Sequence, residues 1–209
     1  MSITSKKPPI KETVGSQYIC FNKMDANNDW TTTFETDVEK TDVVKNVSVT
    51  ENGSSSEVYS SGIIYDTDTE TSNTEIAVEV IAFDDATLAK MRGDLVDEAG
   101  LILSGGARVR PYFAYGKVVK LKGGKVRLDW YPKCKLTENT DETKTKEESF
   151  SEQTDKLTIT AMPFNAAGDI VSRVASGANF PATLTEEKFF AKPILTKEDL
   201  AAAAAVAGA

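Results

Sequence analysis

The sequence predicts a mainly β fold: a sandwich or barrel-like sheet with one short flanking α-helix, long loops, and flexible extensions at both ends. Three observations carry that expectation. Residues 74–82 alternate at strand period, with Ile76, Val78 and Val80 on one side and Glu75, Ala77 and Glu79 on the other. Two valine-containing runs, 43–49 and 58–65, flank the polar stretch Glu51-Asn52-Gly53-Ser54-Ser55-Ser56, which reads as a hairpin with a long tip. The pair Gly123-Gly124 separates residues 117–122 from 125–130, the punctuation of a two-residue primed turn.

The first run puts Val43, Val47 and Val49 on one side of its strand. After the alternating strand, Asp84 is placed as a helix N-cap, Asp85 sits in the favourable first turn, and Phe83 can staple onto Leu88. Leu88, Met91 and Leu95 would form the buried stripe of a helix about ten residues long, by the spacing of apolar residues. Gly93 supplies its stop. Strands resume over 108–115.

In the glycine hairpin a two-residue turn would set Leu121 opposite Val126, Val119 opposite Leu128 and Lys117 opposite Trp130. Val119, Leu121, Val126, Leu128 and Trp130 would then share the apolar face, and Lys120, Lys122, Lys125 and Arg127 the other. Like charges across a ladder cost a few tenths of a kcal/mol, up to roughly 1, per pair. Either those lysines solubilise a solvated face, or they meet acidic groups on a partner. Residues 137–155 hold few aliphatic groups, with Phe150 the one anchor, and a connection of that length is functional or disordered. A strand over 157–162 follows. Near the end, Thr196 with Asp199 approximates a capping box and Leu195 with Leu200 a staple, before an alanine run that would fray unless docked.

The 209 residues are enough for one domain with extensions. We expect an N-terminal arm at 1–40, the β domain at 41–165 and a C-terminal extension at 166–209. Net charge is −8, but it is segregated. Between residues 46 and 89 there is no Lys or Arg against Glu51, Glu57, Asp66, Asp68, Glu70, Glu75, Glu79, Asp84 and Asp85. Between 106 and 135, Asp129 stands alone among nine Lys and Arg residues. Such blocks can neutralise each other within one fold or between copies.

Histidine is absent, which removes the usual general base and the commonest metal ligand. Cys20 and Cys134 are too few for a disulfide framework and read as reduced, partly buried thiols. No apolar run reaches membrane-spanning length, and the first residues have no apolar core for a secretory signal, so they read as a polar arm. Neither a phosphate-binding loop nor a dinucleotide fingerprint occurs, and Ser104-Gly105-Gly106 reads as a turn. Asp66-Thr67-Asp68-Thr69-Glu70 starts like a calcium loop but has no glycine or terminal glutamate at the right spacing, so a solvated acidic loop is expected. No catalytic, cofactor-binding or metal residue is assigned.

Ser60-Ser61-Gly62-Ile63-Ile64-Tyr65-Asp66, then Thr74-Glu75-Ile76-Ala77-Val78-Glu79-Val80, then the helix to Met91-Arg92-Gly93, resemble the first half of major tail proteins of long, non-contractile-tailed bacteriophages. Arg110-Pro111-Tyr112-Phe113-Ala114-Tyr115-Gly116, residues 127–136, Thr143-Lys144-Thr145-Lys146-Glu147-Glu148 and Gln153-Thr154-Asp155-Lys156-Leu157 resemble the second half, in the same order. The resemblance covers 43–161. It implies a tail tube subunit: stacked, hexameric rings in the virion, made in the host cytoplasm, with tape measure, tail terminator and distal tail proteins as partners. DNA would pass through without sequence-specific binding, and no cofactor or membrane is implied.

On that resemblance Asp66, Asp68, Glu70, Glu75 and Glu79 are candidates for an acidic lumen. Lys120, Lys122, Lys125, Arg127, Lys146, Glu147, Glu148 and Phe150 are candidates for contacts between subunits. A tube protein of a tailocin-like or secretion system fits the same features. A nucleic-acid-binding barrel would instead use Arg108, Arg110, Lys120, Lys122, Lys125 and Arg127, with Tyr112, Phe113, Tyr115 or Trp130 stacking on bases.

Overall fold

The computed structural model describes residues 7–205, except 61–62, 107, 142, 144 and 146–153, and no side chain within 54–71. In chain order the elements are β1 (Lys11–Phe21), β2 (Glu39–Thr41), β3 (Val44–Ser60), β4 (Ile63–Val80), α1 (Asp85–Arg92), β5 (Leu95–Val96) and β6 (Ile102–Leu103). They continue with β7 (Phe113–Leu121), β8 (Lys125–Thr140), β9 (Asp155–Ala161), β10 (Ser172–Ala175), α2 (Glu186–Phe190) and α3 (Lys197–Ala204). The fold is mainly β, as its alternating sequence requires.

The main sheet is antiparallel, in the order β2-β1-β7-β8-β9-β4-β3. One edge of β8 serves two partners in series, β10 along residues 127–130 and β9 along 134–140. The sheet curls until β1 lies near β3. Its concave side encloses Ile19, Phe21, Ile76, Val78, Tyr115, Tyr131, Leu157 and Ile159, and Met91 of α1 closes that cluster. The convex side of the β1–β7–β8 half carries Tyr18, Cys20, Val118, Leu128 and Trp130, covered by Leu184, Phe189, Phe190 and Ile194. Each large side chain so buried contributes about 1.5–3 kcal/mol relative to exposure.

Four local expectations hold. Ile76, Val78 and Val80 are buried and Glu75 and Ala77 exposed. Asp84 caps α1, accepting from the Thr87 backbone N–H at 2.8 Å, and these bonds hold its carboxyl below the usual range. Gly93 ends the helix at φ 71°, where a Cβ would lie 2.5 Å from the Val109 carbonyl oxygen. The helix is shorter than expected, and Leu95 lies beyond it, exposed, in β5. At the C-terminus Thr196 and Asp199 form the expected capping box. Leu200, Ala203 and Ala204 then dock α3 on the convex cluster.

Other expectations are corrected. Gly123 and Gly124 do have positive φ, 83° and 70°, but Leu121 pairs with Lys125, so the loop has three residues, 122–124. The one-residue difference reverses the faces. Val118, Leu128 and Trp130 point to the convex cluster, while Val119 and Leu121 point away from it with Lys117, Arg127 and Asp129. Residues 51–56 are no hairpin tip, because β3 runs through them to Ser60, paired with β4. Asp66 to Glu70, expected as a loop, lie in β4. Residues 11–21, placed in an arm, form a strand inside the sheet; from the C-terminal extension β10 pairs with β8, and α2 and α3 cover the convex face. Finally, Phe113 rather than residue 108 starts the β7 strand.

Candidate interaction surface

The β3–β4 hairpin outgrows its sheet. β4 pairs with β9 only from Thr74 to Val80, so residues 51–60 and 63–73 form a ribbon with no third strand among the described residues. At 3.3 Å per residue it extends about 30 Å. A two-stranded ribbon is marginal alone in water, and both its edges can pair with another chain. Its sequence carries Glu51, Glu57, Asp66, Asp68 and Glu70 with no Lys or Arg. The backbones of Asp66, Asp68 and Glu70 stand opposite Val58, Ser56 and Ser54; their side chains lie outside the described residues.

Glu75 and Glu79 lie where the hairpin belongs to the sheet. Glu75 is exposed, opposite Thr50 and Thr160, whereas Glu79 is half-buried and accepts from Thr154 Oγ1 at 2.8 Å. Lys156 is the residue opposite Glu79, and Lys135 is the residue beyond Thr160. Part of the acidic block is therefore balanced by neighbouring strands of the same chain.

The four basic hairpin residues divide. Lys120, Lys122 and Lys125 are exposed at the outer end of β7 and β8. Arg127 instead faces Asp129, which is wholly buried and meets Arg173 Nε at 2.7 Å, Arg127 Nη2 at 3.1 Å and Lys117 Nζ at 3.9 Å. Burial pushes the Lys117 amine down to about 8, against the opposing pull of Asp129. Burial likewise pushes the Tyr131 hydroxyl up to about 12, with Asp129 adding to it. Sequence reasoning missed this cluster. The available signal was Asp129 itself, the lone acid of a strongly basic block.

The remaining candidates separate by burial. Phe113, Tyr115 and Trp130 are enclosed, at 0%, 1% and 0% exposure, which removes three of the four bases for stacking on nucleic acid. Tyr112 is half-buried beneath Lys135, whose Nζ lies 4.0 Å from the ring centre, and Lys133 approaches both Tyr112 and Trp30. Arg110 donates to the carbonyls of Leu136 and Thr137, so it too is engaged. Lys146, Glu147, Glu148 and Phe150 lie outside the described residues. The β5–β6 hairpin exposes Leu95, Val96, Leu101 and Leu103 beside Val109, each more than half accessible. Among the described residues no group of His, Cys, Asp or Glu could hold a metal ion, and no helix is long and apolar enough to cross a membrane.

No protein-family model matches the chain, and no curated protein matches its sequence.

Proposed function

We propose that this chain is a structural subunit that polymerises as stacked, hexameric rings into the tail tube of a long, non-contractile-tailed phage. The observation that carries the reading is the acidic ribbon of residues 51–60 and 63–73, which leaves its sheet with both edges unpaired among the described residues. Another chain can supply the third strand or packed face that such a ribbon needs. The order of the tail-protein-like segments over 43–161 supports the same reading.

In the ring, the apolar β5–β6 hairpin and the exposed Lys120, Lys122 and Lys125 meet neighbouring copies. The strand face bearing Glu75 lines the lumen, where carboxylates repel phosphate and let DNA slide rather than bind. Tape measure, terminator and distal tail proteins are the partners of this reading, and the virion is its location.

Negative-stain electron microscopy of concentrated protein tests it. Rings or tubes with a central channel are expected from the full chain. A variant in which Asn-Gly replaces residues 53–71 should keep its β-rich circular dichroism and form no tubes. Unchanged polymerisation by that variant would remove the ribbon from the proposal, and a full chain that stays monomeric at every concentration and salt would count against the tube itself.

A further inference from the structure

We propose that the cavity between the starts of β1 and β3 and the β7–β8 pair is an oxyanion site, filled in the polymer by a carboxylate of a second copy. The choice of a second copy rests on the assembly reading above; the site itself does not. The cavity has a volume of about 370 Å³ and is lined by Lys11, Lys45, Lys117 and Arg127, with Glu12 as the one lining carboxylate among the described residues. Behind it, Asp129 is wholly buried and already bonded to Arg173. One carboxylate thus serves three cations, and the inner wall remains positive.

The donors on that wall are desolvated and short of acceptors. The Lys117 side chain is 6% exposed, yet its nearest carboxylate oxygen is 3.9 Å away, beyond hydrogen-bond range. Arg127 Nε is buried with no acceptor, and Asp129 Oδ2, within 4 Å of both cations, is itself buried without a hydrogen bond. A buried donor left unpaired is costly, and a charged one more so. An oxyanion entering here would accept from Lys117 and feel the charge of the Arg127 guanidinium beside it. Lys11 adds positive potential at the mouth.

The space suits a side-chain carboxylate with its waters, since a water takes about 30 Å³. The chain's own acids point to the source. Nine of them fall between residues 46 and 89 without a cation, five on the ribbon that projects from the sheet. A neighbouring copy presents that surplus where this copy has a deficit.

Inorganic phosphate is the probe. Lysine ε-amine resonances of the dispersed wild-type protein, titrated with phosphate at constant ionic strength, should show a saturable shift at Lys117 accompanied by Lys11. K117M and R127M should each weaken binding about tenfold or more, as expected for a lost charge-assisted bond. A uniform, unsaturable shift of all surface lysines overturns the site, and this readout needs no variant to fold. In the second arm, phosphate should dissolve tubes at about a tenth of the chloride concentration, compared at matched ionic strength. Tubes indifferent to phosphate that still binds the dispersed protein overturn the second-copy carboxylate while the tube stands. Phosphate binding by a chain that never polymerises upholds the oxyanion site and sinks the assembly reading.

Discussion

Phe190 lies flat on Tyr18, ring centroids 3.9 Å apart and planes 5° from parallel, which couples α2 to strand β1. Tyr18 also donates to Glu186 at 2.6 Å. Trp130 meets Phe190 edge-on at 5.1 Å and donates from its ring N–H to the Phe189 carbonyl. The convex cluster is thus an aromatic layer with its polar edges satisfied.

Gly116 makes room for that layer. A Cβ at this position would sit 2.7 Å from Phe190 Cε1 and 3.0 Å from Trp130 Cζ3. Gly116→Ala should therefore cost about 1–3 kcal/mol by overpacking, and Phe190→Ala about 3–5 kcal/mol by leaving a cavity. Urea denaturation followed by tryptophan fluorescence measures both, and an unshifted midpoint for Gly116→Ala would contradict the packing described.

Asp129→Asn should destabilise strongly, by about 3–5 kcal/mol, because it strands the partners of a buried charge. Thermal unfolding of the variant checks this. A loss under 1 kcal/mol would mean that water reaches the cluster.

Lys117→Met should gain on the wild type near neutral pH and lose that gain in alkali. The folded amine is depressed to about 8, so the unfolded chain binds its proton more tightly. Stability from this group consequently rises with pH from about 8 to the unfolded value near 10.4, over a range of the order of 3 kcal/mol. The difference between wild type and variant, measured from pH 7 to 10, should follow that sign; a constant difference would refute it.

Cys20 and Cys134 should be silent in the native state. Both are fully buried, and burial pushes Cys20 up to about 12 and Cys134 further. A thiol reagent should find no reactive group before unfolding and two after. The raised values also mean that their stabilising contribution is complete below the unfolded thiol value near 8.5 and falls as pH rises above it.

The parts of this fold legible in the sequence are those governed by local chemistry. The Ile76–Val78–Val80 alternation shows because one face of β4 is buried and the other wet. Asp84, Gly93 and the Thr196–Asp199 box announce helix ends through short-range bonds. The hairpin register was hidden because β7 is buried on both faces, so period 2 disappears from its Val118-Val119 run. β1 was hidden for the same reason, with Ser16 and Gln17 among its buried residues. The ribbon was misread because Gly53 and three serines look like a turn until their partners across the ladder are known. In the candidate surface, the charge blocks were legible, but the destination of Arg127 was not. It depends on Asp129 meeting Arg173, 44 residues later.

β1 finds its partner β7 only after a long interval, with Lys11 opposite Leu121 and Phe21 opposite Phe113, and its outer face waits for Phe189 and Phe190. A nascent chain leaving the ribosome therefore carries β1 with only β2 on one edge, its other edge unpaired until residues 113–121 have been made. Contacts so distant in sequence make folding slow. Because Phe189, Phe190 and Ile194 close the aromatic layer, the apolar face of Tyr18, Val118 and Trp130 stays wet until α2 has been synthesised and can fold back over it.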